Sequence, residues 1–460
     1  MYSNDPRTVI TLDAGGTNFV FGAIRANQFV AEPVTLPSNA NDLDLCMQTI
    51  VEGFERIVAQ LSEPAVAISF AFPGPADYPR GIIGGGFLPT FPCLSEGVAL
   101  GDYLSEKFGL PVWINNDADL FAYGEALAGA LPEVNARLAA AGSAKRFHNL
   151  LGFTWGTGFG FGMSVDRRMH VGDNSCVEIY CLRNRIYPDA IVEDSVSIRA
   201  VQRVYGELSG EPNHGLTPKE IYDIAEGERE GDRAAAIGSF AEFGRATGDA
   251  FASVASLLDG LIVVGGGLTG ARKYIMPSVM AEMRSTLSQL TEGERTDRMP
   301  VVVYELDDEA QFERFARGQQ RELKVYGSDR TVSYDPEKRI GIIFSKLGAS
   351  RAVSLGAYAF ALNELDSRKS VRLLPDGIQQ NPEQKTQERS NEGDNCGCAR
   401  TNFVESECDH NHYANNRRPI DRREPNAVAI NALALTFDGF GADFEVFFEP
   451  LPLGIPTQNV

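Results

Sequence analysis

No run of about 18 apolar residues, the length a membrane-spanning helix needs, occurs in the 460-residue chain, so no membrane span is expected. The opening stretch MYSNDPRTVITLDAGG has no apolar signal core and passes straight into a strand pattern, which argues against a secretory leader. Positive charge is also short. Lys and Arg number 42 against 62 Asp and Glu, a formal charge of -20, and that field repels nucleic acid backbones and anionic lipid surfaces. Neither nucleic acid nor a membrane is an expected partner. A disulfide framework is missing too: Cys46, Cys93, Cys176 and Cys181 are scattered through the body, as free thiols of a reducing compartment are. A cytoplasmic protein is expected.

What is present describes a globular chain, with 43% hydrophobic and 23% charged residues. Its length exceeds one ordinary core, so two domains are expected, with room for an extra segment. Residues 8–12 form a short apolar run and residues 19–24 another, so a glycine-rich turn opens the chain as a β-hairpin. A third strand is expected near 28–36. Leu43, Met47, Ile50, Val51, Phe54 and Val58 recur near helical spacing and predict an amphipathic helix over 43–61. Ala65–Ala71 reads as a buried strand stopped by Pro73-Gly74-Pro75. A helix near 97–108, a strand at 112–114 and a helix from about Ala118 follow.

The same grammar restarts at residues 150–154, which again run into a glycine turn and a strand, Phe159–Val165. Helices are expected at about 194–208, 218–226 and 233–258, a buried strand at 261–264, and an apolar helix over 350–362. The polar stretch 307–340 reads as an insertion. Beyond about residue 368 the composition shifts to Asn, Gln, Glu, Arg and Pro, so 374–425 reads as linker, with two strands expected at 428–437 and 444–448.

Three glycine-rich turns each follow a hydrophobic strand: Asp13 to Thr17 with Gly15 and Gly16, Gly156-Thr157-Gly158, and Gly265-Gly266-Gly267. Glycine lets backbone approach a ligand closely, and successive N–H groups in such turns form nests for phosphate oxygens. None is a GxxxxGK[ST] phosphate loop, because no Lys occupies the needed place. A dinucleotide fingerprint fails as well, since residues 156–162 continue as an alternating strand. One such turn is an ordinary hairpin; three at strand ends, two of them opening matched halves, suggest a nucleotide clasp.

Asp13-Ala-Gly-Gly-Thr17, Asn115-Asn-Asp-Ala-Asp119 with Gly124-Glu125, Gly156-Thr-Gly158 and Val264-Gly-Gly-Gly267 resemble, in order and spacing, the motifs of ROK-family sugar kinases. The resemblance covers about residues 8–365, including a closing helix at Leu355-Gly356-Ala357. It implies an α/β fold of two actin/hexokinase-like (ribonuclease H-like) domains with an inter-domain cleft, plus a C-terminal extension. Residues 1–117 would form the small domain, with the closing helix, 350–366, packing back on it. Residues 118–349 would form the large domain, and 370–460 the extension. The resemblance further implies ATP and a sugar bound in the cleft, the first two turns on the nucleotide phosphates and the third near adenosine. Family members often form homodimers.

Phosphoryl transfer needs alignment, charge neutralisation and a group that orients the attacking hydroxyl. Asp117 suits that last task, because it follows the strand at 112–114 on a strand-to-helix turn, and the acceptor hydroxyl must lose its proton. An Asp in this place also commonly caps the next helix, a purpose Asp119 could serve instead. Asp13 is a candidate to hold the magnesium ion of Mg-ATP through water, or else a plain turn-former. Asn116 is a candidate sugar ligand. The family's sugar site carries Glu-x-Gly-His, a zinc-binding cysteine cluster and another Glu. Here the corresponding stretch is Glu178-Ile179-Tyr180-Cys181, the cysteine cluster is missing, and Glu193 follows. Glu178 and Glu193 stay as sugar-ligand candidates, or as surface carboxylates. In the tail, Cys396, Cys398, Cys408 and His410 could bind zinc at non-standard spacing.

The expected activity is transfer of the terminal phosphate of ATP to a hydroxyl of a hexose or N-acetylhexosamine. The alternatives are a non-catalytic sugar-binding regulator, a repressor and an actin-like filament. The repressor is disfavoured by the short stretch before the first strand and by the negative charge. The filament reading has no use for an Asn116-Asp117 pair.

Overall fold

In the computed structural model, which describes residues 2–86, 88–290 and 293–372, the opening apolar run is β1 (Thr8–Ala14), with Val9, Ile10 and Leu12 buried. Strand β1 turns into antiparallel β2 (Asn18–Arg25), to which β3 (Gln28–Phe29) and β4 (Val34–Pro37) add. Helix α1 (Leu43–Val58) starts where the Asp42 side chain accepts from Leu45 N at 3.0 Å. Its buried face holds Cys46, Ile50, Phe54 and Ile57, whereas Leu43 and Val58, which the spacing counts in the apolar stripe, are exposed. Gly53 is where α1 meets the sheet, because a Cβ there would stand 2.1 Å from the Phe21 ring.

Parallel strands complete this sheet. β5 (Ala65–Ala71) pairs with β1, a small ribbon of β6 (Ala76–Asp77) and β7 (Ile82–Ile83) follows, α2 (Leu100–Phe108) crosses over, and β8 (Val112–Asn115) pairs with β5. The register matters for function. Asp13 lies opposite Ala71, and Ala71 opposite Asn115, so β1, β5 and β8 all end at one edge of the sheet. Ligands of open parallel sheets bind outside such carboxyl ends.

Next come α3 (Asp117–Ala128) and α4 (Ala130–Ala140), then the second sheet. Its hairpin is β9 (Leu150–Trp155) and β10 (Phe159–Val165), extended by β11 (Arg168–Met169). Helices α5 (Ile198–Ser209), α6 (Pro218–Glu226) and α7 (Arg233–Leu258) lead to β12 (Leu261–Gly265), which pairs in parallel with β9. Helix α8 (Arg272–Met283) packs on α7, where Gly244 and Gly248 leave room for Ile275 and Val279. A hairpin of β13 (Thr286–Ser288) and β14 (Arg295–Asp297) precedes β15 (Val302–Glu305).

Of the polar stretch 307–340, α9 (Glu309–Arg317) covers part, and β16 (Arg321–Lys324) with β17 (Thr331–Tyr334) makes an exposed hairpin. Its last residues enter β18 (Arg339–Phe344), a wholly buried strand between β12 and β15. The chain then runs through α10 (Ala349–Arg372). Among the described residues no helix is long and apolar enough to cross a membrane. The tail strands expected at 428–437 and 444–448, and Cys396, Cys398, Cys408 and His410, lie outside the described residues.

Helices α3 and α10 join the two sheets. α3 is buried from Ala118 to Leu127, so it has no solvent face. On one side it lies on a glycine-surfaced part of the second sheet: a Cβ at Gly152 would stand 2.7 Å from that of Ala122, and one at Gly162 2.2 Å from Ala118 O. On the other side it meets α10, whose Leu355, Tyr358 and Leu362 cluster with Val9, Ile24 and Ala67 of the first sheet. The start of α3 is thus fixed by both sheets at once.

Candidate active site

The first turn is shaped by its carbonyls. Ser38 donates through Oγ to Gly16 O and through its backbone N–H to Thr17 O at 3.0 Å, and Gly15 N donates to Asn18 O at 3.1 Å. Both glycines are required by space, since a Cβ at Gly15 would lie 2.8 Å from Asn18 O and one at Gly16 2.6 Å from Thr90 Cγ2. Among the described residues, the N–H groups of Gly16 and Thr17 meet no acceptor. Adjacent free N–H groups of this kind make an anion nest.

The second turn carries the same signature. Gly156 N donates to Gly158 O at 3.2 Å, and the N–H groups of Thr157 and Gly158 meet no acceptor among the described residues. Its shape is held from outside by Glu193, whose Oε2 accepts from Phe159 N at 2.9 Å and would lie 2.7 Å from a Cβ at Gly158. Arg199 donates to the other oxygen, Oε1, at 2.9 Å. Glu193, expected as a sugar ligand, thus has one oxygen on this turn and the other on Arg199.

The third turn adjoins the second, because Gly265 pairs with Thr154. Here the glycines divide. A Cβ at Gly265 would strike the Phe121 ring at 2.6 Å, and Gly266 has φ +98° with Trp155 O 2.3 Å from where its Cβ would stand. Both serve packing. Gly267 alone of the three faces open space.

Beyond β8, Asn116 rather than Asp119 caps α3: its Oδ1 accepts from Ala118 N at 2.8 Å, and Asp117 Oδ1 accepts from the same N–H at 2.8 Å. The Asn116 side-chain amide also interacts with the Tyr78 hydroxyl, which itself donates to Phe72 O at 2.9 Å. Tyr78 thus braces the strand-to-helix turn. Its pKa is raised, by burial first and then by the nearby carboxylates of Asp117, Asp119 and Glu178, against the Asn116 hydrogen bond.

Asp117 is open to solvent at the mouth of this turn yet has protein crowded around it, as in the floor of a cleft. That crowding raises its pKa above the ordinary carboxylate value; the Ala118 N–H works against the rise and the Asp13 charge adds to it. Asp119, two residues further into the helix, is buried, and its Oδ1 has no hydrogen-bond partner. Burial and the charges of Glu178 and Asp117 push its pKa up to about 8. Glu178, which follows the hairpin of the second sheet, is half-buried, and its pKa rises to about 7 through burial, then Asp117 and Glu193. The fold therefore brings Asp13, Asp117, Asp119, Glu178 and Glu193 together from positions far apart in sequence.

Two of these participants escape the sequence. Tyr78 follows a Pro-Gly-Pro breaker that reads only as a turn, and Asp119 reads as a helix-capping residue. Cys181, which the resemblance sets opposite the family's histidine, is an exposed free thiol. Among the described residues no group of three or more His, Cys, Asp or Glu side chains is placed to hold a metal ion. Cys181 is the one thiol between Glu178 and Glu193, so these residues do not fit a cysteine-held zinc.

Comparison with known proteins identifies the family. The sequence model of the ROK family matches residues 9–179. A glucokinase of Parabacteroides distasonis ATCC 8503 is 56% identical, the match covering 79% of this chain and 99% of that one, with a TM-score of 0.72. The N-acetylgalactosamine kinase AgaK of Shewanella sp. strain ANA-3 is 23% identical over 341 residues, 70% of this chain and 98% of that protein. A ROK hexokinase from Thermus thermophilus, 19% identical over 77% of this chain and 99% of its own, shares the fold with a TM-score of 0.53. The chain belongs to the ROK family, and its mixed α/β architecture is the actin/hexokinase-like fold expected from the motifs.

Proposed function

We propose that this chain is an ATP-dependent sugar kinase with Asp117 as its general base. One observation carries the reading: a solvent-reached carboxylate of raised pKa stands at the first residue of α3, beside Asp13 and within the influence of Glu178. The acceptor hydroxyl hydrogen-bonds to Asp117. As its oxygen attacks the terminal phosphorus of ATP, the new O–P bond forms, the P–O bond to ADP breaks, and the hydroxyl proton passes to the Asp117 carboxylate. Raising the pKa of a carboxylate toward neutrality makes it a better proton acceptor in such a step.

The unpaired N–H groups of Gly16, Thr17, Thr157 and Gly158 support the phosphates, and Gly267 leaves room beside them. Asp13 fits a magnesium ion, since no hydrogen bond or ion pair among the described residues holds its carboxylate; that ion would supply neutralisation of phosphate charge. Glu178 accepts a sugar hydroxyl when ionised, and Asn116 and Glu193 fix the turns on either side.

Glucose is the first acceptor to test, because the 56%-identical relative is a glucokinase. N-acetylgalactosamine is the second, from the more distant relative. The test is ADP release with Mg-ATP over glucose, mannose, fructose, allose and the N-acetylhexosamines, with Asp117→Ala in parallel. Turnover that falls by roughly a hundredfold or more in the variant supports the reading. Silence over the whole panel, with a sugar still binding by calorimetry, favours a sugar-binding regulator.

A further inference from the structure

Between Glu178 and Glu193 the chain makes a closed loop whose centre is Asn184. This side chain is fully buried and every strong hydrogen-bonding position on it is used. Nδ2 donates to Ile191 O at 3.1 Å and to Ser195 Oγ at 2.8 Å. Oδ1 accepts from Ile186 N at 2.9 Å and from Tyr187 N at 3.1 Å. A buried primary amide with all four positions satisfied is a rigid joint, because losing any partner strands a polar group away from water.

The joint sits at the tip of a short antiparallel pairing. Asn184 N donates to Ala190 O, Val192 N to Leu182 O and Glu193 N to Tyr180 O, with an isolated bridge between Arg183 and Ile191. One arm of that pairing leads back to Glu178 and the other ends on Glu193, which holds the Gly158–Phe159 turn. The loop is also tied outward, by an ion pair of Arg185 with the buried Glu282 of α8 and by Tyr187 donating to Glu242 of α7 at 3.1 Å. Among the described residues no cluster of metal-ligating side chains is available to do the same work.

We infer that Asn184 is a positioning residue for the acceptor site, closing by amide hydrogen bonds, and without a metal, the loop that carries Glu178 and Glu193. The inference rests on the kinase reading for its substrate, but the loop's own rigidity is separable from it. Loosening the joint moves Glu178 relative to Asp117 and, through Glu193, slackens the second glycine turn, while the first glycine turn and Asp13 stay untouched, so sugar affinity suffers most and binding suffers before the chemical step does.

The test uses the full chain. In Asn184→Ala, the KM for the best sugar of the panel rises roughly tenfold or more and the KM for ATP rises by less, through Glu193 and the second glycine turn, while kcat at saturating substrates stays within about threefold. Hydrogen exchange shows lost protection over residues 180–193 and retained protection in β9 and β12. Wild-type protein treated with phenanthroline, with magnesium kept in the buffer, retains its sugar KM. An unchanged sugar KM and unchanged loop protection in the variant overturn the inference. So does a sugar KM that rises on chelation. Equal losses in kcat, ATP affinity and protection throughout the lobe also overturn it, as they mark a general folding defect. Should Asn184→Ala fail to fold, Ser195→Ala removes one of the four bonds and carries the same comparison. If no sugar is phosphorylated by the wild type, the kinase reading fails by itself, and the exchange measurement still decides whether Asn184 closes the loop.

Discussion

Gly124 of α3 and Gly356 of α10 lie at the crossing of the two helices that join the sheets, and each makes room for the other helix's backbone. A Cβ at Gly124 would stand 2.0 Å from Ala352 O, and one at Gly356 2.0 Å from Leu120 O. Rigid carbonyls cannot yield as a side-chain tip does, so a methyl group at either position must push the helices apart. Gly124→Ala or Gly356→Ala should cost about 1–3 kcal/mol in urea unfolding, the usual range for overpacking. Because α3 begins at Asp117, turnover should fall more than that stability loss explains when assayed well below the unfolding midpoint. Unaltered stability in both variants would mean that the helices do not cross this closely.

That crossing bears on how far the sequence could be read. The hairpin of β1 and β2, the strand before Asn116-Asp117 and the glycine turns are legible because their signals are local: an apolar run followed by residues that only a turn accepts. The stripe on α1 is legible in its centre, at Ile50 and Phe54, but not at Leu43 and Val58, where the helix ends lie beyond the sheet. Helix α8 is hidden by Pro277 inside it, and β18 by Arg339, which enters the buried strand with its guanidinium paired to Asp335. Tyr78, Asp119 and Asn184 are illegible for a different reason. Each acts through partners brought from elsewhere by the fold, and a single sequence carries no trace of those contacts.

The third glycine turn separates packing from binding, and substitutions should separate them too. Gly266→Ala forces a side chain into φ +98° and against Trp155 O at 2.3 Å, so the protein should lose stability, by about 1–3 kcal/mol or more. Gly267→Ala meets nothing within 4 Å, so its unfolding midpoint should stay close to wild type. If the open space at Gly267 belongs to the nucleotide, that same variant should raise the KM for ATP several-fold with the sugar KM unchanged. Thermal unfolding and initial-rate kinetics on the two variants check both halves. A destabilised Gly267→Ala, or a stable Gly266→Ala, would contradict the assignment.

Asp119 sets a pH dependence of stability whose sign follows from its surroundings. Its carboxyl is buried with Oδ1 unpartnered, near Glu178 and Asp117 and with no cation among the groups acting on it, and its pKa stands at about 8 against an ordinary 3.8. Between those values the folded state binds more protons than the unfolded one, so unfolding free energy falls as pH rises. The stabilising contribution of the protonated acid is complete below about pH 4 and is progressively lost on approach to pH 8. Asp119→Asn keeps the shape and removes the charge. Its unfolding free energy from urea titration should match wild type near pH 4 and exceed it increasingly toward pH 8, by on the order of a few kcal/mol at most. The kinetic corollary concerns Glu178, whose pKa of about 7 is raised in part by the same cluster. With the Asp119 charge gone, the acid limb of the sugar kcat/KM profile should shift little, because burial is the first cause of the Glu178 rise and Asp117 the second. An unfolding free energy that fails to diverge between pH 4 and pH 8 would show that Asp119 ionises in the folded protein at its ordinary pKa, and with that the picture of a proton-holding carboxylate beneath the acceptor site would fall.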